Sequence, residues 1–201
     1  MKRFELIVGL IAILGIALKI IHIPGGGILI VLALSTLSVF YYVFSFAFFN
    51  SIRLRDIFKK VSYKGTNTKR IIGTIGLGYT LSTLIIGGLF KLQFWPGAAM
   101  VLMTGLVTTG IVLFIALIFY FRNKADTVFY TGVFKKIAIY GSLGLVLLIT
   151  PSETLVDIFH GDNPDYAVFF KQMLAEPENL KNELIEKSKN IQTNLIYFLP
   201  L

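Results

Sequence analysis

Apolar and polar positions fall into long blocks along this chain instead of alternating. Residues 6–23 are apolar and free of charge as far as Lys19, and residues 26–49 carry no charged side chain at all. At 1.5 Å per residue, either run makes a helix long enough for a hydrocarbon core of about 30 Å. Residues 71–90 and 95–121 read the same way, and the second of these exceeds the length a span needs, which predicts tilt or projection. Residues 137–152 form a shorter run that ends at Pro151. They make a fifth span by recruiting Val133 and Phe134 or residues beyond Pro151, and otherwise read as a re-entrant or interfacial helix.

The intervals between the runs are polar. Residues 50–70 hold seven Lys or Arg against Asp56 alone. Within them, 52–61 read equally as an amphipathic helix on the membrane surface or as a solvated linker. A second basic loop holds Arg122, Lys124, Lys135 and Lys136. From residue 153 the material changes. Asn163-Pro164-Asp165 and Glu176-Pro177-Glu178 are helix-start signals, with Pro at the first helical position and acids at the positive end of the dipole. Leu180, Leu184, Ile185, Ile191, Leu195 and Ile196 then recur at helical spacing, and the apolar end, 196–201, predicts a docked terminus.

One phrase occurs twice. Lys19, Pro24 and Gly25 recur as Lys91, Pro96 and Gly97, each 72 residues on, and Gly15 and Gly87 keep the same spacing. Each copy lies between two apolar runs, so each predicts the tight turn of a helical hairpin. Proline ends the first helix and glycine supplies the turn. Two hairpins in the same orientation predict a pseudo-axis along the membrane normal. The fold class is therefore an all-α membrane bundle of four or five transmembrane helices, built from two repeated hairpins with an amphipathic helical tail. Its parts are 1–50, the first hairpin; 51–70, the basic loop; 71–122, the second hairpin; 123–152, a basic loop and short fifth span; and 153–201, the acidic tail.

Composition agrees with the pattern. A chain of 201 residues that is 55% hydrophobic and 15% charged lies outside the range of ordinary soluble domains. Its charge of +8 divides into +12 before residue 152 and −4 after. The basic residues sit in short loops, where membrane orientation accounts for them and no nucleic-acid partner is implied. The positive-inside rule puts the N-terminus and both basic loops in the cytoplasm, and five spans put the tail in the periplasm. There is no cysteine, so thiol catalysis and disulfides are excluded.

Candidate chemistry is sparse. Lys19 and Lys91 are the charged residues inside the predicted spans, and no acid accompanies them there. Near the outer ends of their helices they read as snorkelling or hairpin-capping groups, with anion or carboxylate binding as the functional alternative. His22 falls three residues after Lys19, on one helix face. Gln93 and Trp95 complete the second copy of the phrase, Trp95 as an aromatic-belt residue. His160 with Asp157 and Asp162 is a weak metal pattern, and no metal site or cofactor is inferred. Glycines at 73, 76, 78, 87 and 88, at 105 and 110, and at 141 and 144 predict close helix packing. No nucleophile elbow, P-loop or paired-carboxylate arrangement occurs.

Leu89-Phe90-Lys91-Leu92, the matching Ala17-Leu18-Lys19-Ile20-Ile21-His22 and Gly105-Leu106-Val107-Thr108 resemble the N-terminal hairpin of GldL. GldL is the inner-membrane motor subunit of gliding motility and type IX secretion in Bacteroidota. The resemblance covers about 40 residues in each hairpin and implies a membrane scaffold in the bacterial inner membrane. The family's intramembrane glutamate falls on Thr109 here and on Leu37 in the first copy, so proton conduction is not carried over. The expected function is a non-catalytic membrane subunit or scaffold that assembles with itself or another membrane protein. Its alternatives are a small transporter or channel using Lys19 and Lys91, and a proton-coupled motor component.

Overall fold

The computed structural model describes residues 1–64, 66–122 and 126–175. Their order is α1 (Lys2–Ile20), α2 (Gly26–Phe49), α3 (Thr68–Leu92), α4 (Ala98–Arg122), α5 (Thr127–Ile149), α6 (Ser152–His160) and α7 (Pro164–Ala175). The chain is all-α, and α2 to α5 are each long and apolar enough to cross a membrane. Helix α1 carries Lys2, Arg3 and Glu5 at its start and Lys19 near its end. Its uninterrupted apolar stretch, 6–18, is only about 20 Å long.

Two compact units divide the chain at Ser152 and Glu153. In the first, α3 is the central helix: it packs on α2, α4 and α5, while α1 packs on α2. Burial follows this order, with 56% of the apolar stretch of α3 buried against 17% for α4 and for α5. Helices α2 and α3 approach closely where Gly78 meets Tyr41 and Ser45. One turn further, the Ser38 and Ser82 hydroxyls hydrogen-bond across the interface at 2.7 Å. Small residues and interhelical hydroxyls provide close contact in lipid, where no hydrophobic effect drives helices together.

The structure decides between two alternatives at one segment and departs from the reading of the sequence at another. The interval 52–61 forms no α-helix; it contains two short 3-10 turns, Leu54–Asp56 and Lys60–Tyr63. Ile52 is buried, but Phe58 is 98% exposed, so the apolar residues do not share one face. Lys59 hydrogen-bonds Asp56 and holds its carboxyl below the usual carboxylate range. Helix α5 begins at Thr127, ten residues ahead of the expected short span, and takes Lys135 and Lys136 into a continuous helix of 23 residues. The two lysines therefore do not form a loop. Lysine is a good helix former, and Lys136 finds a carboxylate partner within the bundle.

In the second unit, Asn163 Oδ1 accepts the Tyr166 N–H at 3.1 Å and caps α7, which starts at Pro164 as the sequence signal indicates. Lys171 pairs with Asp157 at 2.6 Å, and His160 lies edge-on to Tyr166. Among the described residues, no three His, Asp or Glu side chains gather as a metal site. The second helix-start signal, 176–178, and the apolar positions after it lie outside the described residues.

Candidate functional site

Both copies of the repeated phrase end their helices in the same way. The Ile23 N–H donates to the Leu18 carbonyl and the His22 N–H to that of Lys19. The Trp95 and Phe94 N–H groups do the same to Phe90 and Lys91. These are Schellman closures, with the left-handed position held by His22 (φ 59°) and Phe94 (φ 57°) instead of glycine. Pro24 and Pro96 therefore lie past helices already ended by Ile20 and Leu92. Gly25 (φ 97°) and Gly97 (φ 81°) then turn the chain into the next helix, where Leu29 and Val101 donate back to their carbonyls. His22 does not share a helix face with Lys19, because it stands outside the helix.

The two turns are laced together. Lys19 Nζ donates to the Leu92 carbonyl at 2.5 Å and lies 5.2 Å from the Phe94 ring centre. Gln93 Nε2 donates back to the Gly27 carbonyl at 3.0 Å. Leu92 ends α3, so its carbonyl lacks a helical donor and lies at the negative end of the dipole, where a cation is favourable. Lys91 is buried and donates to Ser152 Oγ at 3.1 Å. Trp95 packs edge-on against Phe90. Lys19→Met is expected to lower the stability of the detergent-solubilised protein by about 1–2 kcal/mol, the range of a charge-assisted hydrogen bond less screening. Thermal unfolding of Lys19→Met, Gln93→Leu and their combination checks it. The pair should be non-additive, because both side chains hold the same two turns.

A second constellation was missed in the sequence. Glu5, 8% exposed, sits among α1, α2 and α5. Its Oε1 accepts hydrogen bonds from Tyr41 Oη and Lys136 Nζ, and from Tyr140 Oη at 3.2 Å. The Tyr41 and Tyr140 rings meet edge-to-face at 5.4 Å, and Lys136 Nζ lies 5.7 Å from the Phe48 ring centre. Lys136 is nine residues into α5 and Tyr41 eight residues before the end of α2, so the cluster lies about 12–14 Å inside those helix ends. An apolar run read from Leu6 leaves Glu5 outside it, and the basic pair Lys135-Lys136 reads as part of a loop. The spacing of Tyr41 from the end of a charge-free helix was a faint signal of a buried polar partner.

At the same end, Arg70 Nη1 pairs with Asp126 at 3.2 Å and its guanidinium lies 3.9 Å from the Phe129 ring centre. Its Nε is buried without a hydrogen-bond partner, as is Asn50 Oδ1, and Arg70 lines a cavity of about 300 Å³. Thr109, where the resemblance placed a glutamate, is 4% exposed, and its hydroxyl has no partner. Leu37, the first-copy counterpart, is also buried. Position 109 is thus an interior position of α4 that carries no ionisable group.

The family model of the GldL N-terminal domain matches residues 75–140. That stretch takes in most of α3, all of α4 and the first part of α5, and leaves the first hairpin outside. No curated protein matches the chain. No solved structure matches it either.

Proposed function

We propose that this chain is a non-catalytic integral subunit, or scaffold, of a larger inner-membrane assembly of the GldL kind. The observation that carries the reading is the match to the GldL N-terminal domain over the second hairpin and into α5, with a buried threonine at the position expected to bear the motor's acid. The shared geometry of the turns at 22–25 and 94–97 supports two hairpins of one design. The basic loops favour a cytoplasmic N-terminus, and five crossings would carry the chain beyond residue 152 to the periplasm. Met100, Met103, Val107, Ile111 and Phe114 give helix α4 a broad exposed apolar face suited to the bilayer interior. The transporter alternative finds no support in Lys19 and Lys91, whose ammonium groups serve the Leu92 carbonyl and the Ser152 hydroxyl.

Purification of the tagged full chain from its native membranes in mild detergent, with the mass and composition of the eluate, tests the proposal. A stoichiometric second membrane protein or a defined homo-oligomer is the expected result. A lone monomer in several detergents argues against it.

The proton-coupled alternative keeps one specific observation in its favour, the buried Glu5 carboxylate. Proton flux into liposomes that is present in the wild type and lost in Glu5→Gln would move the assignment to that reading.

A further inference from the structure

A groove of about 800 Å³ opens between α1 and α5, lined by Lys2, Leu6, Gly9, Lys135 and Lys136 among others. Its charge is unevenly satisfied. Of the four cations that line it, Lys136 is paired with Glu5 and Arg70 with Asp126. Lys2 and Lys135 are exposed, and neither forms an ion pair among the described residues. Two unneutralised ammonium groups therefore share a cleft with the apolar side chains of Leu6, Leu10, Ile13 and Val128. Room along the walls comes from Gly9 on α1 and Gly132 on α5, where an added Cβ would meet nothing within 4 Å.

We infer that this groove holds an anionic phospholipid, with its phosphate on Lys2 and Lys135 and an acyl chain between α1 and α5. The occupant follows from the chemistry. Apolar walls within the depth of the spans select a hydrocarbon chain. A net positive rim at the basic-loop end, the end that faces anionic headgroups when the basic loops are inside, selects a negative headgroup. The inference goes beyond the subunit assignment and does not depend on which assembly the chain joins.

The test uses the purified full chain in detergent, with dioleoyl phosphatidylglycerol or dioleoyl phosphatidylethanolamine added and bound lipid counted by native mass spectrometry. The wild type is expected to retain one phosphatidylglycerol in preference to phosphatidylethanolamine. A basic residue near a headgroup contributes about fivefold in affinity, so K2Q/K135Q should lose roughly thirtyfold. K60Q/K64Q removes the same charge from the exposed loop and should bind as the wild type does. Gly9→Leu fills the groove with the charges intact, and should lose phosphatidylglycerol while remaining helical and monodisperse. Equal retention of both lipids, equal loss in the loop control, or full retention in K2Q/K135Q would each overturn the inference. A homodimer that Gly9→Leu dissociates with lipid retention unchanged would assign the groove to a second copy, and overturn it as well.

Discussion

Gly78→Ala is expected to leave little folded protein. A Cβ at residue 78 would lie 2.0 Å from Ser45 Oγ, 2.2 Å from Ser45 Cβ and 2.5 Å from the Tyr41 carbonyl oxygen. A rotamer change can move the hydroxyl, but the Cβ and the carbonyl belong to the framework of α2, so the two helices must separate. Separation breaks the tightest stretch of the bundle and the Ser38–Ser82 hydrogen bond beside it. Overpacking of well-filled interiors costs about 1–3 kcal/mol, and a clash with main chain belongs at or above the upper end. Gly76→Ala is the internal control: the added methyl meets nothing within 4 Å, and replacing glycine in a helix is worth up to about 1 kcal/mol. Thermal unfolding in detergent should place Gly78→Ala far below the wild type and Gly76→Ala at or above it. Ser45→Gly in the Gly78→Ala background should recover part of the loss, since it removes two of the three contacts. Similar behaviour of the two alanine variants would show that α2 and α3 do not meet at Gly78.

Removal of either member of the Glu5–Lys136 pair is the second large effect. Glu5 is buried and Lys136 is about a quarter exposed, so each single substitution leaves a charge with no counterion inside the bundle. Breaking buried pairs typically costs about 3–5 kcal/mol, and the partial exposure of Lys136 puts Glu5→Gln near the lower limit. Lys136→Met should cost more, because it strands the better-buried carboxylate with two tyrosine hydroxyls as its remaining donors. The double variant Glu5→Gln/Lys136→Met should regain most of the loss, since neutral partners remove the desolvation penalty along with the attraction. Equilibrium unfolding of the three variants measures the coupling. Single variants within about 0.5 kcal/mol of the wild type would mean that the pair does not hold α1 to α5.

The glycines show how far sequence reasoning reached. Their density in α3, α4 and α5 signals close packing, but not which of them meet another helix. Gly78, Gly87, Gly105 and Gly144 each have a neighbour that a Cβ would approach to 3.0 Å or less, while Gly73, Gly76, Gly110 and Gly141 face open space. Both sets look alike in sequence, because contact depends on how each helix is rotated about its axis. That rotation is set by the neighbouring helices.

The same division runs through the whole protein. The lengths of α2, α3 and α4, the turns at Pro24-Gly25 and Pro96-Gly97 and the start of α7 at Pro164 were legible in the chain. Each follows from local physics: the thickness of a hydrocarbon core, the freedom of glycine at a left-handed turn position and the side-chain cap of asparagine. Only the tertiary structure decided that Lys19 serves the end of α3, 73 residues away, that Glu5 is interior, and that Lys136 belongs to a helix. These outcomes depend on which charged and polar groups the packed helices bring together. In a low-dielectric interior an unpaired charge is too costly to persist, so the partner and the depth of each such residue are settled jointly by the whole bundle.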